Sequence, residues 1–296
     1  MSMRTVLRIA DLRRICSDAR RSDQTVGLVP TMGAFHAGHR SLMRAARGEC
    51  DLVVVSLFVN PTQFGPNEDL AGYPRDEKGD ASAAAREGVD VLFVPSVDEM
   101  YPEAPRTTVH VVGLTDRLCG ASRPGHFDGV TTVVAKLLSI VGPCRAYFGR
   151  KDAQQLAVVR RMARDLDLPV EVVGCPLVRE PDGVAMSSRN AYLSDEERSA
   201  ATVLSRALRA TAAHASPRQR AESVRALVRE HVEAEPLVEL EYVEVVDGSA
   251  LEPIDELTGE VLVALAARVG RARLIDNCTI TVLDDGSTIS DLGVLS

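Results

Sequence analysis

Pro30-Thr-Met-Gly-Ala-Phe-His-Ala-Gly-His39 follows directly on the apolar run Val26-Gly-Leu-Val29. An apolar run that enters a glycine-bearing turn and then a helix start is the pattern of a parallel-sheet strand delivering its ligand-binding turn. The turn lets the backbone approach a phosphate, and the helix N-terminus adds N–H groups and a favourable dipole. His36 and His39, three apart, share one face of the first helical turn, where both can donate to phosphate oxygens. This peptide alone leaves two other readings open: two of three zinc ligands, or histidines with a purely structural role. The H-E-x-x-H spacing and glutamate base of a zinc peptidase are absent.

Outward from this stretch the first 175 or so residues alternate strand-like and helix-like patterns. Candidate strands are 26–29, 52–59, 89–94, 109–112, 146–148 and 170–174, most of them near-continuous in Val, Leu and Phe. Helical patterns lie near 41–47, 76–87, 129–141 and 152–167. The alternation predicts an α/β fold with a doubly wound parallel sheet, Rossmann-like, whose ligand sits at the carboxyl ends of the strands. After Leu177 the texture changes. Ser194-Asp-Glu-Glu197 is a capping box opening an Ala-rich helix, Ser216-Pro217 breaks it, and a second helix runs to about His231. Strand candidates at 240–246, 261–267 and 279–283 complete a smaller C-terminal α+β domain, and the polar tail from Asp284 reads as frayed. We therefore expect a larger, ligand-binding domain over 1–177 and a smaller C-terminal lid domain over 178–296.

The 296 residues give 45% hydrophobic and 26% charged content, which suits an ordinary globular protein with an ample core. A net charge of -8, few aromatics and no tryptophan argue against nucleic-acid binding. The six cysteines are scattered without a C-x-x-C pair, so reduced thiols in a cytoplasmic setting are expected. No window approaches the length of a membrane span.

Further along lie four more segments able to carry chemistry. Phe58-Val-Asn-Pro-Thr-Gln-Phe-Gly65 offers Asn60 and Gln63 at a strand exit, where hydroxyls and carboxylates are read, or else it is a plain Asn-Pro turn. Gly149-Arg-Lys-Asp-Ala-Gln-Gln155 places Lys151 and Gln155 on one helical face; the lysine can neutralise charge on a phosphate undergoing displacement, unless this is only a solvated first turn. Met186-Ser-Ser-Arg-Asn190 reads as a mobile loop able to close over a β- or γ-phosphate, or as an interdomain linker. Arg123-Pro-Gly-His-Phe-Asp-Gly129 reads as an ordered loop before a helix, or a simple turn.

Together with Tyr73-Pro-Arg75 and, more weakly, Leu274-Ile-Asp-Asn277, these segments in this order resemble the pantothenate synthetases (pantoate–β-alanine ligases). That family lies within the nucleotidyltransferase-like superfamily marked by an H-x-G-H motif, here His36-Ala-Gly-His39. The resemblance covers most of the chain. It implies ATP-dependent joining of (R)-pantoate and β-alanine through a pantoyl adenylate, releasing AMP and pyrophosphate, with Mg²⁺. It implies an ATP-binding stretch of Pro30, Thr31, Met32, Gly33, Ala34, Phe35, His36, Ala37, Gly38 and His39. Further ATP contacts are implied at Gly149, Arg150, Lys151, Asp152, Val178, Met186, Ser187, Ser188 and Arg189. His36, His39 and Lys151 are the implied catalytic residues, Asn60, Gln63 and Gln155 the substrate-binding ones, and Asp80 the Mg²⁺-side acid. Phe35 stands where the family has leucine. A homodimer is also implied. The rival readings are a nucleotidylyltransferase of the same superfamily and a non-catalytic nucleotide-binding protein. The first does not explain the paired glutamines, and the second does not explain an intact set of His36, His39, Lys151 and Arg189.

Overall fold

A computed structural model describes residues 3–65 and 70–296. By contacts the chain divides into two compact units, 1–150 with 158–175, and 151–157 with 176–296.

The first unit runs β1 (Arg4–Val6), α1 (Ile9–Arg21), β2 (Val26–Thr31), α2 (Ala37–Glu49), β3 (Leu52–Leu57), α3 (Glu77–Arg86), β4 (Val91–Phe93), α4 (Val97–Met100), α5 (Cys119–Ser122), α6 (His126–Val141), β5 (Cys144–Gly149), the start of α7 (Ala153–Asp165) lying in the other unit, and β6 (Val170–Cys175). The six strands form one parallel sheet in the order β1-β4-β3-β2-β5-β6. The apolar runs form its strands because both faces are covered: α2 and α3 pack together on one side, α1 and α6 on the other. Val29, Met43, Ala46, Val53, Val55 and Leu92 meet in the core between the sheet and α2.

Strand order reverses between β2 and β5, and this switch point is where an open α/β sheet opens a crevice at its carboxyl end. The sequence widens it. Pairing of β2 with β3 runs to Thr31, but pairing with β5 covers only Gly27 and Leu28. Pro30, which has no N–H to offer a ladder, lies just past the point where the β5 pairing ends.

Three local expectations need correction. Residues 109–112 form no strand. Their backbone bonds with threonines instead: Val109 N–H donates to Thr132 Oγ1, while Thr131 and Thr115 hydroxyls donate to the Val109 and Val111 carbonyls. The N-terminal strand and helix, β1 and α1, add to the elements expected from sequence. The tail after Asp284 is ordered into β11 (Thr288–Asp291) and β12 (Val294–Leu295), each with a strand partner.

The second unit contains β7 (Val178–Arg179), α8 (Asp195–His214), α9 (Ala221–Glu233), β8 (Val238–Asp247), β9 (Glu260–Val269), β10 (Ala272–Val282) and the two tail strands. β8 to β11 form an antiparallel meander, and β12 lies parallel to β7. The capping box starts α8 as the sequence indicates: Ser194 Oγ accepts from Glu197 N–H, and Glu197 returns the bond to Ser194 N–H. Leu204, Leu208, Val224 and Val228 of the two helices pack on Val243, Val263, Leu265 and Ile280 of the sheet.

Candidate active site

The loop from β2 to α2 sits at the switch point. His36 is the N-cap of α2, and its Nδ1 accepts from Gly38 N–H at 3.1 Å. His39 Nδ1 in turn accepts from His36 N–H at 3.4 Å, so the two imidazoles act as the polar partners of a capping box. The rings stack with centroids 4.1 Å apart. An Nδ1 that accepts a backbone N–H leaves the proton of a neutral imidazole on Nε2. The backbone thereby selects the tautomer, and each Nε2–H is a donor of fixed direction. Thr31, at the end of β2, is tied back by its hydroxyl to the Ser56 carbonyl.

The Asn60 and Gln63 side chains meet in the same unit. Residues Pro61–Gln63 form a 3₁₀ turn capped by Asn60. Asn60 Nδ2 donates to Gln63 Oε1 at 3.2 Å and to the Gly129 carbonyl, while Asn60 Oδ1 accepts from Tyr101 Oη at 2.9 Å. Burial raises the Tyr101 phenol above its ordinary pKa, which keeps it a donor. Gln63 Nε2 lies 3.1 Å from the sulfur of Met32. The amide pair is thus fixed beside the loop that carries the histidines.

Tyr101 and the Arg123–Phe127 segment do the fixing, and only the latter has a signal in the sequence. His126 Nδ1 bonds the Gln63 carbonyl at 2.8 Å, and Arg123 bonds His126 Nε2 at 2.9 Å. An arginine has only protons to give, so Nε2 accepts and Nδ1 carries the hydrogen. Gly129 explains the close fit: a Cβ there would lie 2.5 Å from the Thr62 carbonyl oxygen. The helix and the turn touch through backbone.

In the second unit, Lys151 lies in the 3₁₀ turn Arg150–Asp152, which begins where β5 of the first unit ends, and Gln155 follows in the first turn of α7. The Lys151 carbonyl accepts from Asn277 Nδ2 at 2.8 Å. Asn277 N–H donates to Asp276, whose two oxygens take a bidentate Arg179 guanidinium at 2.7 and 3.0 Å. Both charged side chains are only 2% exposed. Arg179 also donates to the carbonyls of Gly183, Asn277 and Leu292, so most of its protons have acceptors.

The 186–190 segment is held at both ends. Met186 N–H donates to the Val178 carbonyl. Asn190 Nδ2 bonds Glu180 and the Ala185 carbonyl. Burial opposes ionisation of Glu180, but bonds from Arg198 and Asn190 outweigh it and hold the carboxyl below its ordinary pKa. Ser187 Oγ accepts from Arg189 N–H and so starts the turn Ser188–Tyr192.

Asp80 has partners other than a metal. Its Oδ2 accepts from Ala34 N–H at 2.8 Å and its Oδ1 from Phe35 N–H at 2.7 Å. Among the described residues no group of three or more His, Cys, Asp or Glu could hold a metal ion. Asp80, with one backbone N–H on each oxygen, would serve Mg²⁺ only as one carboxylate beside substrate phosphates. All six cysteines are free thiols, and no helix among the described residues is long and apolar enough to cross a membrane.

The model of the pantoate-beta-alanine ligase family matches residues 4–279. A pantothenate synthetase of Heliobacterium modesticaldum is 55% identical over 95% of this chain and 100% of its own length. The crystal structure of a Thermus thermophilus pantothenate synthetase aligns with a TM-score of 0.87 at 49% identity, covering 93% of this chain and 98% of that one. The Francisella tularensis pantoate-beta-alanine ligase, complexed with beta-gamma ATP and β-alanine, aligns with a TM-score of 0.76 at 34% identity over 93% and 97%. With the family model spanning residues 4–279 and these relatives covering 93–95% of it, the chain belongs to the pantoate–β-alanine ligase family.

Proposed function

We propose that this ligase joins (R)-pantoate to β-alanine at the expense of ATP, through a pantoyl adenylate. The observation that carries the reading is the pair of backbone-oriented imidazoles at the sheet's switch point, beside the Asn60–Gln63 amide pair, in a chain of this family.

A carboxylate does not acylate an amine directly, because oxide would have to leave. In the first step a pantoate carboxylate oxygen attacks the α-phosphorus of ATP, and the bond to the β-phosphate bridging oxygen breaks as pyrophosphate departs. Such a step is catalysed by positioning and charge stabilisation. His36 and His39 give Nε2–H donors, and Lys151 gives a full positive charge, to the phosphate oxygens on which charge builds. Ser187, Ser188 and Arg189 hold the departing pyrophosphate. Gln63, Gln155 and Asn60 orient pantoate by its hydroxyls and carboxylate. The remaining residues of 30–39, with Gly149, Arg150, Asp152, Val178 and Met186, contact the nucleotide. In the second step the neutral amine of β-alanine attacks the acyl carbon, the acyl–oxygen bond breaks, AMP leaves and the amine proton is lost. Mg²⁺, a cation that keeps several waters and binds substrate phosphates, would be carried by the triphosphate and would neutralise part of its charge. Free thiols support a reducing, cytoplasmic setting, and we assign the active species as a homodimer.

The test is pyrophosphate release from ATP and pantoate, with and without β-alanine. A burst without the amine, and AMP with amide formation when it is added, is the expected result. A stable nucleotidyl product would establish the nucleotidylyltransferase reading instead. Gln63→Ala raises the KM for pantoate about 10- to 100-fold, a lost hydrogen bond to a charged group costing about 1.5–3 kcal/mol. ATP binding stays near wild type; equal loss of both would remove Gln63 from the pantoate site.

A further inference from the structure

The loop before His36 turns through two consecutive residues of positive φ, Gly33 at 94° and Ala34 at 52°. The left-handed region costs an alanine about 1–2 kcal/mol, so something must hold it there. Successive N–H groups in such a turn converge into a concavity that binds anions. Here that concavity already contains a carboxylate. The Ala34 and Phe35 N–H groups each donate to one oxygen of Asp80, which is 4% exposed. The fit is tight, since a Cβ on Gly33 would lie 2.9 Å from Asp80 Oδ2 and 3.2 Å from Leu57. The α3 helix that presents Asp80 is itself capped by Asp76, which accepts from Gly79 N–H. The next amides also have internal partners, His36 N–H on His39 Nδ1 and Gly38 N–H on His36 Nδ1.

We propose that Asp80 is a positioning residue: its carboxylate fills the anion nest of the 33–35 turn and so sets the angle at which His36 and His39 enter α2. The phosphates of the substrate are then met by the imidazole Nε2–H donors, and not by the Ala34 and Phe35 amides. The role needs a carboxylate. An asparagine accepts with one oxygen and turns an NH₂ donor toward the second N–H, whereas two charge-assisted bonds need two acceptor oxygens.

The inference rests on the ligase reading only for its kinetic arm. In ¹⁵N spectra of the wild-type protein the Ala34 and Phe35 amides exchange slowly with solvent. In Asp80→Asn, which is nearly isosteric, at least one of them loses this protection. In the pyrophosphate assay Asp80→Asn lowers kcat/KM for ATP about 10²-fold, as expected for catalytic groups misplaced by an ångström, and the Mg²⁺ dependence stays as in the wild type. Asp80→Ala recovers part of its loss when formate is added to refill the nest, and none with chloride at equal ionic strength. Unchanged amide protection in Asp80→Asn overturns the proposal. So does repair of the loss by raised Mg²⁺, which would make Asp80 a metal ligand, or formate acting no better than chloride. If the wild-type protein releases no pyrophosphate, the ligase reading fails while the amide measurement still decides the role of Asp80.

Discussion

Lys151→Met and His39→Gln each slow adenylate formation by about 10²–10³-fold, the loss expected when one donor to developing charge is removed. The choice of replacements separates chemistry from architecture. Methionine keeps the apolar stem of Lys151 and removes only the charge, and the bond from Asn277 to the Lys151 carbonyl is a main-chain contact that survives. Glutamine at the third helical position can still accept the N-cap N–H, as His39 Nδ1 does from His36. The start of α2 therefore persists while the imidazole donor is gone. Rapid-quench measurement of the pyrophosphate burst is the readout, and wild-type bursts in both variants would remove these residues from the chemistry. A burst lost only in His39→Ala, and kept in His39→Gln, would reduce the histidine to a capping role.

The second large effect concerns stability. Asp276→Ala strands the Arg179 guanidinium, 2% exposed, without its counter-charge. Breaking a buried pair from one side costs about 3–5 kcal/mol, read as a loss of stability in urea unfolding of the unit that holds it. The double variant Arg179→Met, Asp276→Leu recovers part of this, because neither charge is then buried alone. Recovery stays incomplete, since the carbonyls of Gly183, Asn277 and Leu292 lose their donor. A cost below about 1 kcal/mol, the range of exposed pairs, would show that water reaches the guanidinium. Asp276→Ala also slackens Lys151, because Asp276 accepts from the backbone of the Asn277 whose side chain holds the Lys151 carbonyl.

What can be read in advance follows from the range of the forces involved. Strands β2 and β3 and the centre of β5 are buried on both faces, so their apolar runs announce them. The Ser194–Glu197 box and the Ser216-Pro217 break are local chemistry and equally plain. β1 escapes a sequence reading because three residues, the first of them an arginine, carry no periodicity; its partner, β4, lies 87 positions on, as Thr5 pairs with Leu92. Residues 109–112 look like a strand by composition, yet hydroxyls of α6 and Thr115 serve their backbone, a competition that only three-dimensional placement decides. At the site, motif order supplies the candidate residues. It does not supply the two imidazoles as mutual caps, the tether of Gln63 to His126, or the destination of the Asp80 oxygens, each of which depends on side-chain geometry that spacing alone does not fix.

The pairing of β12 with β7 has a consequence for how the polypeptide is made. The chain emerges N-terminus first, and domains fold as they appear. All strands of the parallel sheet exist once Cys175 is out. β7 must wait: its ladder is supplied by Val294 and Leu295, and Arg179 needs the Leu292 carbonyl. Until those residues are translated, the strand whose Val178 carbonyl anchors Met186 has no neighbour on that side. A ribosome stalled before residue 292 would therefore carry a completed parallel sheet attached to an unfinished second unit.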